Sequence, residues 1–322
     1  MFPGLSQRTL LRPPSILPPS VPNRSAKTFA DLLHILKGYP VDIRNEEHRA
    51  ELLRDARYYH LKGLEQRLIP HEISYNLARK RSEILIKLED IRQSGISFIL
   101  DSAVSSISTS PASSTPGTPN GPGWVHYQRP YVDSEAHSLI FEIVGEESTF
   151  LSVSAVSAAT SPARMARATF SRQTLARITS LFQVLANKMG LPVTQPLGLL
   201  MLERDAGRPV PPATTGITDD RVKVRIGSDA DVTVNGHPWV LGEEAEESDS
   251  DSEMETEPVR VRKRKRAERP AELEWVVQRS QWRIRVQPVT SGKSGVEVIL
   301  GAVKIEALSS ERGRNATREF LS

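Results

Sequence analysis

Histidine, serine and lysine are the residues of this sequence that could act as ligands, nucleophiles or bases, but their spacing gives little support for catalysis. The segment Gly292-Lys293-Ser294 is similar to the end of a phosphate-binding loop. That motif needs a glycine five residues before Gly292, where Gln287 stands, and this turn would join two strands. The seven histidines are scattered, with no His-Glu-x-x-His pair to place two zinc ligands on one helix face. We therefore expect a protein that is not an enzyme and that uses no cofactor or metal.

Two adjacent runs of charge are the densest chemical signal. Nine of the 15 residues from Glu243 to Glu257 are acidic, which predicts a disordered segment. The five basic residues Arg262, Lys263, Arg264, Lys265 and Arg266 follow it. They are short enough for a nuclear import signal, but they also fit a solvated linker that pairs with the acidic run. Contact with DNA phosphates is a third interpretation, although nothing in the run would read bases.

Three serines lie inside the acidic run. Ser248, Ser250 and Ser252 each have an acidic residue three positions further on, a pattern that acid-directed kinases recognise. Each phosphate would add a charge of about −1.5 to −2 and strengthen masking of the basic run. The alternative is that they are ordinary polar residues of a disordered segment.

Composition excludes several classes of protein. The 322 residues are 38% hydrophobic and 25% charged, with a formal net charge of only +3, which does not by itself imply nucleic acid. The absence of cysteine excludes disulfides and thiolate catalysis and fits a reducing compartment. Prolines between residues 1 and 23 prevent a signal core, and no apolar stretch could span a bilayer. We expect an intracellular protein, in the nucleus or the cytoplasm, with no membrane or nucleic-acid partner.

The N-terminal third has the periodicity of helices. Phe29, Leu32, Leu33 and Leu36 share one helical face, and Gly38 then ends the helix. A second helix is predicted from Asn45, which is a good N-cap residue, and a short third one from 61 to 68. A longer helix is predicted from 72 to 93. These helices are expected to bury a core that consists of Phe29, Leu32, Leu36, Leu52, Leu53, Ala56, Tyr59 and Leu64.

Beyond a linker rich in proline, serine and glycine at 102–123, which we take as the clearest domain boundary, the period changes to two. Residues 139–144 and 150–153 predict a hairpin that turns at Gly145. A helix is predicted from 167 to 188, with Gly190 as its stop. Further strands are predicted at 222–226, 232–234, 275–278, 282–287 and 296–305, with a turn at Asn235-Gly236.

The run from Phe29 to Pro40, followed by the run from Glu51 to Leu68, resembles the BTB/POZ domain of the potassium-channel-tetramerisation type. In that family a helix ending in "F..IL..LR.G" precedes "LL.EA.YY.L..L". The matching positions here are Phe29, Ile35, Leu36, Gly38, Leu52, Leu53, Asp55, Ala56, Tyr58, Tyr59, Leu61 and Leu64. The region after residue 124 is more vaguely similar to the C-terminal extension of fungal proteins that carry this BTB type.

The family's opening strands, with their "V.LNVGG..F" phrase, have no counterpart before Ala26. We expect either that the gene model begins too late or that this isoform carries an incomplete domain. The resemblance implies homo-oligomerisation and, for some members, service as substrate adaptors of cullin ubiquitin ligases. The zinc site of some channel relatives needs cysteine and is excluded here.

The predicted fold class is α+β, a partial BTB/POZ-like helical module followed by a mixed strand and helix region with disordered linkers. We expect a self-associating assembly protein; the alternatives are a nuclear regulatory factor or a cullin-ligase adaptor. The predicted divisions are a proline-rich disordered start at 1–26, the partial BTB/POZ-like module at 27–95, a linker at 96–123, a mixed α/β region at 124–240, the charged runs at 241–270, a β-hairpin region at 271–310 and a tail at 311–322.

Overall fold

The chain divides into two units in a computed structural model, one up to Ile69 and one from Pro70 onwards. The first unit is helical, and the second is built on a mixed β-sheet with a helix, so the predicted α+β fold class is confirmed. The structure describes residue 21 and residues 23–101, 121–154, 163–190, 221–239, 272–288 and 296–310.

The helical unit consists of α1 (Ala26–Leu36), α2 (Glu46–Tyr58) and α3 (Lys62–Leu68). As predicted, Asn45 caps α2: its Oδ1 accepts a hydrogen bond of 2.8 Å from the backbone N–H of His48. Gly38, with φ of +85°, follows α1 in the left-handed conformation that glycine tolerates best. The three helices bury a small apolar core made of Leu32, Leu52, Ala56, Leu64 and Leu68.

The predicted helix from 72 to 93 is wrong. The segment forms the antiparallel strands β1 (His71–Asn76) and β2 (Arg81–Lys87), joined by a turn in which Lys80 has φ of +51°. Ile84 and Ile86 alternate into the core, whereas Leu77 lies in the turn and is 82% exposed. Helical spacing here was incidental, because β2 is stabilised by parallel pairing with a strand more than 50 residues away. These residues belong to the second unit, so the helical module ends at Ile69 rather than at 95.

The predicted boundary at 102–123 does not separate two domains. Strand β3 (Ile96–Leu100) pairs antiparallel with β4 (Gly123–Tyr127), so the chain returns to the same sheet after the proline-rich segment. Residues 96–100, predicted as linker, are therefore sheet. Residues 102–120 lie outside the described part of the chain.

A single long strand, β5 (His137–Ser154), replaces the hairpin predicted around Gly145. It pairs along most of its length with β10 (Glu272–Pro288), and the register shifts where Val144 pairs with Arg279 and Thr149 with Val277. Gly145 therefore lies in a bulge, which bends the strand without reversing it. The two strand segments predicted at 275–278 and 282–287 likewise form one strand, β10.

The helix predicted from 167 begins later, because residues up to Phe170 are taken by strand β6 (Ala163–Phe170), which pairs with β5. The helix, α4, is Arg172–Lys188 and buries Ile178, Leu181, Phe182 and Leu185. Gly190 follows its end with φ of +68°, as predicted. No helix in the described ranges is long and apolar enough to cross a membrane.

The remaining strands complete the sheet, and two of them close a circuit. They are β7 (Val222–Gly227), β8 (Asp231–Val234), β9 (His237–Pro238) and β11 (Val296–Ser309). The pairings run β5, β6, β7, β11, β10 and back to β5, so these five strands leave no edge between them. In-register neighbours Val224, Leu300 and Ile284 are all fully buried and line the inside of the circuit. The predicted turn at Asn235-Gly236 joins β8 and β9, with φ of +56° and +83°.

Candidate interaction surface

Helix α1 carries apolar side chains on two sides, but its own unit covers only one of them. Leu32 points into the core and is fully buried. Phe29, Leu33 and Leu36, at i, i+4 and i+7, share the other side and are 39%, 37% and 51% exposed. We call these three residues the outer face of α1. The apolar arc of α1 is therefore wider than the part of it that its own unit buries.

Aromatic residues extend the outer face towards the end of α2. The rings of Phe29 and Tyr59 lie 5.0 Å apart, and those of Tyr58 and Tyr59 lie 5.1 Å apart in an edge-on arrangement. The guanidinium carbon of Arg24 lies 4.4 Å from the centre of the Tyr58 ring. Aromatic residues and arginine are the types enriched at the energetic centres of protein interfaces.

A buried carboxylate holds that arginine in place. Asp55 is fully buried, and its Oδ1 lies 3.4 Å from Nε of Arg24 and accepts a hydrogen bond of 3.2 Å from Nε of Arg54. Its other oxygen, Oδ2, has no hydrogen-bond partner among the described residues. Our core prediction omitted Asp55, although its position on α2, one turn after Leu52 and one turn before Tyr59, places it on the buried side. Charge excluded it from a pattern based on apolar residues alone.

The predicted core is only partly reproduced. Leu32, Leu52, Ala56 and Leu64 are buried as predicted, and Leu53 and Tyr59 are half-buried against the core. The assignment of Phe29 and Leu36 to the core is wrong, because both lie on the outer face of α1. The spacing of the apolar residues correctly predicted that α1 has an apolar side. It could not show that the other described elements of the helical unit leave Phe29 and Leu36 exposed.

The other predicted sites fall where the structure gives no placement. Arg262, Lys263, Arg264, Lys265 and Arg266 lie outside the described residues, as do Ser248, Ser250 and Ser252. The segment 289–295, which contains Lys293, lies outside them as well, although the strands on both sides of it pair as a hairpin would require. Within the part of the chain that is described, no three histidine or carboxylate side chains are grouped to hold a metal ion.

The family model described as YLR108C C-terminal domain matches residues 81–317. The uncharacterized protein YDR132C of Saccharomyces cerevisiae is 34% identical over 169 residues, which are 45% of this chain and 34% of that protein. The BTB/POZ domain-containing protein YLR108C of the same yeast is 28% identical over 165 residues, which are 40% of this chain and 34% of that protein.

The chain thus spans about a third of the length of the curated relatives that it matches. No solved structure matches it significantly. The family match begins at the first residue of β2 and therefore covers most of the sheet unit and none of the helical unit.

Proposed function

We propose, from the premise that this chain belongs to the YLR108C C-terminal domain family, that it is a non-enzymatic assembly protein whose helical unit binds a second copy of itself. A relative named as a BTB/POZ domain-containing protein points to a role in protein interaction. The step from interaction to self-association is the proposal. It draws on the resemblance of residues 29–68 to tetramerisation-type BTB domains. Residues 29–68 lie outside residues 81–317, which the family model matches.

The observation that carries the proposal is the outer face of α1. Three large apolar side chains, Phe29, Leu33 and Leu36, stand next to one another in contact with water. Their removal from water would be favourable by about 25 cal/mol per Å² of apolar area. Contiguous apolar surface of this kind marks interaction sites in soluble proteins.

A second copy of the chain is the occupant that the surface fits. The three residues of the outer face carry no charge, so two copies can meet without burying like charges. A two-fold interface uses the same patch on both partners, which such an uncharged stripe allows. Arg24, held over Tyr58 by Asp55, would lie at the polar rim of this patch.

Sedimentation velocity tests the proposal on the whole chain. We expect the mass to rise with concentration in the micromolar range, and we expect the double variant Leu33→Asp/Leu36→Asp to remain a monomer. The variant should keep its helical circular dichroism, because both side chains are exposed. Leu77→Asp is the matched control: Leu77 is 82% exposed in the β1–β2 turn, and the same change there should leave association unaltered. A wild-type chain that stays monomeric throughout this range would disprove self-association.

We also propose that the chain is imported into the nucleus. Five consecutive basic residues from Arg262 to Arg266 support nuclear import, opposed by the acidic run before them. A fluorescent fusion should concentrate in the nucleus and lose that preference when Lys263, Arg264, Lys265 and Arg266 become alanine. Replacement of Ser248, Ser250 and Ser252 by aspartate should lower the nuclear signal, whereas alanine should not. Equal distribution of the wild-type and four-alanine fusions would identify the run as a solvated linker.

A further inference from the structure

Two arginines on the outside of the strand circuit flank a glycine. Arg225 of β7 and Arg283 of β10 each pair in register with Gly301 of β11, which lies between them. Cross-strand partners project from the same face of a sheet, so the two guanidinium groups stand on either side of a position that has no side chain. The result is a depression with positive charge at both sides.

A tryptophan and a third arginine close one end of this depression. Trp124 of β4 pairs in register with Arg285 of β10. The guanidinium carbons of Arg283 and Arg285 lie 4.7 and 5.1 Å from the centre of the Trp124 ring. The cavity is partly open to solvent and measures about 240 Å³, and Ile299, Gly301 and Trp124 give it an apolar floor. We call it the arginine–tryptophan pocket.

The positive charges of the pocket are incompletely neutralised. Arg283 is nine-tenths buried and donates a hydrogen bond of 3.2 Å to Asp229, but the same oxygen also accepts one of 2.8 Å from Arg79. Among the described residues, Arg285 has one acidic partner, Asp101, at 3.2 Å. Arg225 is exposed and forms no ion pair among the described residues.

Arg283 and Arg285 each donate a hydrogen bond through one guanidinium nitrogen but not through another. The Nε atoms of Arg283 and Arg285 are out of contact with water and have no partner within the described ranges. Burial and the nearby charge of Arg79 lower the pKa of Arg283 to about 10, and Asp229 offsets this only in part. Arg283 remains charged at neutral pH, but it has lost solvation that a bound anion would replace.

Ion pairs and ring contacts join the pocket's arginines to further charged residues of β2 and its turn. Arg79 bridges Asp229 to Glu83, and Arg81 lies 5.7 Å from the centre of the Trp124 ring. Counted together with these contacts, five arginines and three carboxylates form the group, an excess of two positive charges, and the lining itself, with three arginines and Asp229, has the same excess. The members are Arg79, Arg81, Arg225, Arg283 and Arg285 against Glu83, Asp101 and Asp229.

We propose that the arginine–tryptophan pocket binds the phosphate group of a small organic phosphate. A phosphate monoester carries a charge of about −1.5 to −2 at neutral pH, which matches the excess, whereas a carboxylate would offset only half of it. Guanidinium forks suit phosphate oxygens, which accept several hydrogen bonds at once. The apolar floor of Trp124 and Ile299 accommodates the organic part of the ligand. This site is independent of the assembly proposed for the helical unit.

Isothermal titration calorimetry on the whole chain at low salt provides the test, with phenyl phosphate and inorganic phosphate as probes. We expect phenyl phosphate to bind with a Kd of about 1 mM or below and more tightly than inorganic phosphate, since only the ester has an apolar part. Arg225→Gln should weaken binding by about tenfold or more, the loss typical of one charge-assisted hydrogen bond. Arg225 is exposed, so this variant should fold normally, as unchanged circular dichroism would verify.

The matched control is Lys87→Gln. Lys87 is also an exposed strand residue of the sheet unit without an ion pair in the described part of the chain, and it lies away from the pocket. We expect that variant to bind phenyl phosphate within about twofold of the unaltered chain, the effect of one distant, screened surface charge. No detectable binding, equal weakening in both variants, or equal affinity for the two probes would each overturn the proposal. Arg283→Met adds a second check: it should abolish binding, and binding that survives in a folded Arg283→Met variant would also overturn it.

Discussion

The helical unit and the sheet unit present different surfaces to their surroundings. On α1 the exposed stripe is apolar, with Leu36 half exposed and no charge among its three members. Beside Gly301 of the sheet unit the outward-facing side chains are Arg225 and Arg283, while Val224 and Ile284, the partners of Leu300 on the inside, are fully buried. The first surface is suited to another apolar surface, and the second to an anion.

The difference follows from how each unit closes. Five strands that pair in a circuit enclose one face completely, so apolar residues are removed from water and the outer positions are left for charge. Within the described residues of the helical unit, the two other short helices cannot surround α1, and one of its two apolar sides remains uncovered. Small units of this kind bury a smaller share of their surface than larger ones do. Each unit can therefore be destabilised and measured separately.

The largest expected effect is loss of the helical unit alone. Leu52 is fully buried, so Leu52→Asp should destabilise that unit by about 4 kcal/mol or more through an unpaired buried carboxylate. All four tryptophans lie in the sheet unit, at 124, 239, 275 and 282, so their fluorescence reports on it alone. We expect helical circular dichroism to fall while the tryptophan transition is unchanged.

Leu53→Asp is the companion variant. It should destabilise the helical unit less than Leu52→Asp does, although both residues were predicted in the core, because Leu53 is only half-buried. If Leu52→Asp shifts the tryptophan transition as well, the two units unfold together.

The reverse experiment removes side-chain volume from inside the strand circuit. Ile284→Ala should lower the free energy of unfolding of the sheet unit by about 3 kcal/mol, because it leaves a cavity among fully buried neighbours. The tryptophan transition should move to a lower denaturant concentration. Val144→Ala is the control, since Val144 is 61% exposed on β5, and it should change stability by less than about 0.5 kcal/mol. Similar losses in the two variants would mean that the circuit does not form the core of this unit.

The next largest effect that we expect is a loss of stability of the sheet unit at acidic pH. Burial alone would raise the pKa of Asp133, but hydrogen bonds from the backbone N–H and Nε of Arg129, at 2.8 and 2.9 Å, outweigh it and hold the pKa below its usual range. Because the folded state has the lower pKa, this stabilisation is complete above the unfolded value, near pH 4, and is lost as the pH falls through the folded value. Denaturation monitored by tryptophan fluorescence at pH 7 and at pH 3 would measure the loss.

Asp133→Asn is the control for this prediction. It cannot titrate, so its stability should change less between the two pH values than that of the unaltered chain. An equal change in both proteins would assign the acid sensitivity to other carboxylates.

The smallest expected effect concerns a turn. Gly236 has φ of +83°, so Gly236→Ala should cost about 1 kcal/mol of backbone strain in the β8–β9 hairpin. Ser228→Ala, in the exposed turn between β7 and β8, provides the comparison and should stay within about 0.5 kcal/mol of the unaltered chain. Chemical denaturation resolves differences of this size. Equal stability of both variants with the unaltered chain would show that the hairpin is not part of the cooperative sheet unit.

Local chemistry determined the elements whose hydrogen bonds close over a few residues. The three helices of the first unit, the Asn45 cap and the turn at Asn235-Gly236 were all predictable, because each depends on residues within one or two turns of chain. Alternation likewise predicted the buried stripe of β10 that contains Ile284. The sequence pattern predicted that the outer face of α1 is apolar, but it did not predict that this face is exposed.

Only the tertiary structure decided the features that depend on distant partners. Residues 72–93 have helical spacing, yet β2 forms because β5 lies parallel to it, and Gly145 bends a strand because β10 continues along both halves of it. The arginine–tryptophan pocket depends even more on residues that are distant in sequence. Arg225, Arg283 and Trp124 are separated by more than 50 residues in each pair, and no local pattern links them. Strand pairing brings them to one place, because backbone hydrogen bonds between strands depend on register in space and not on distance along the chain.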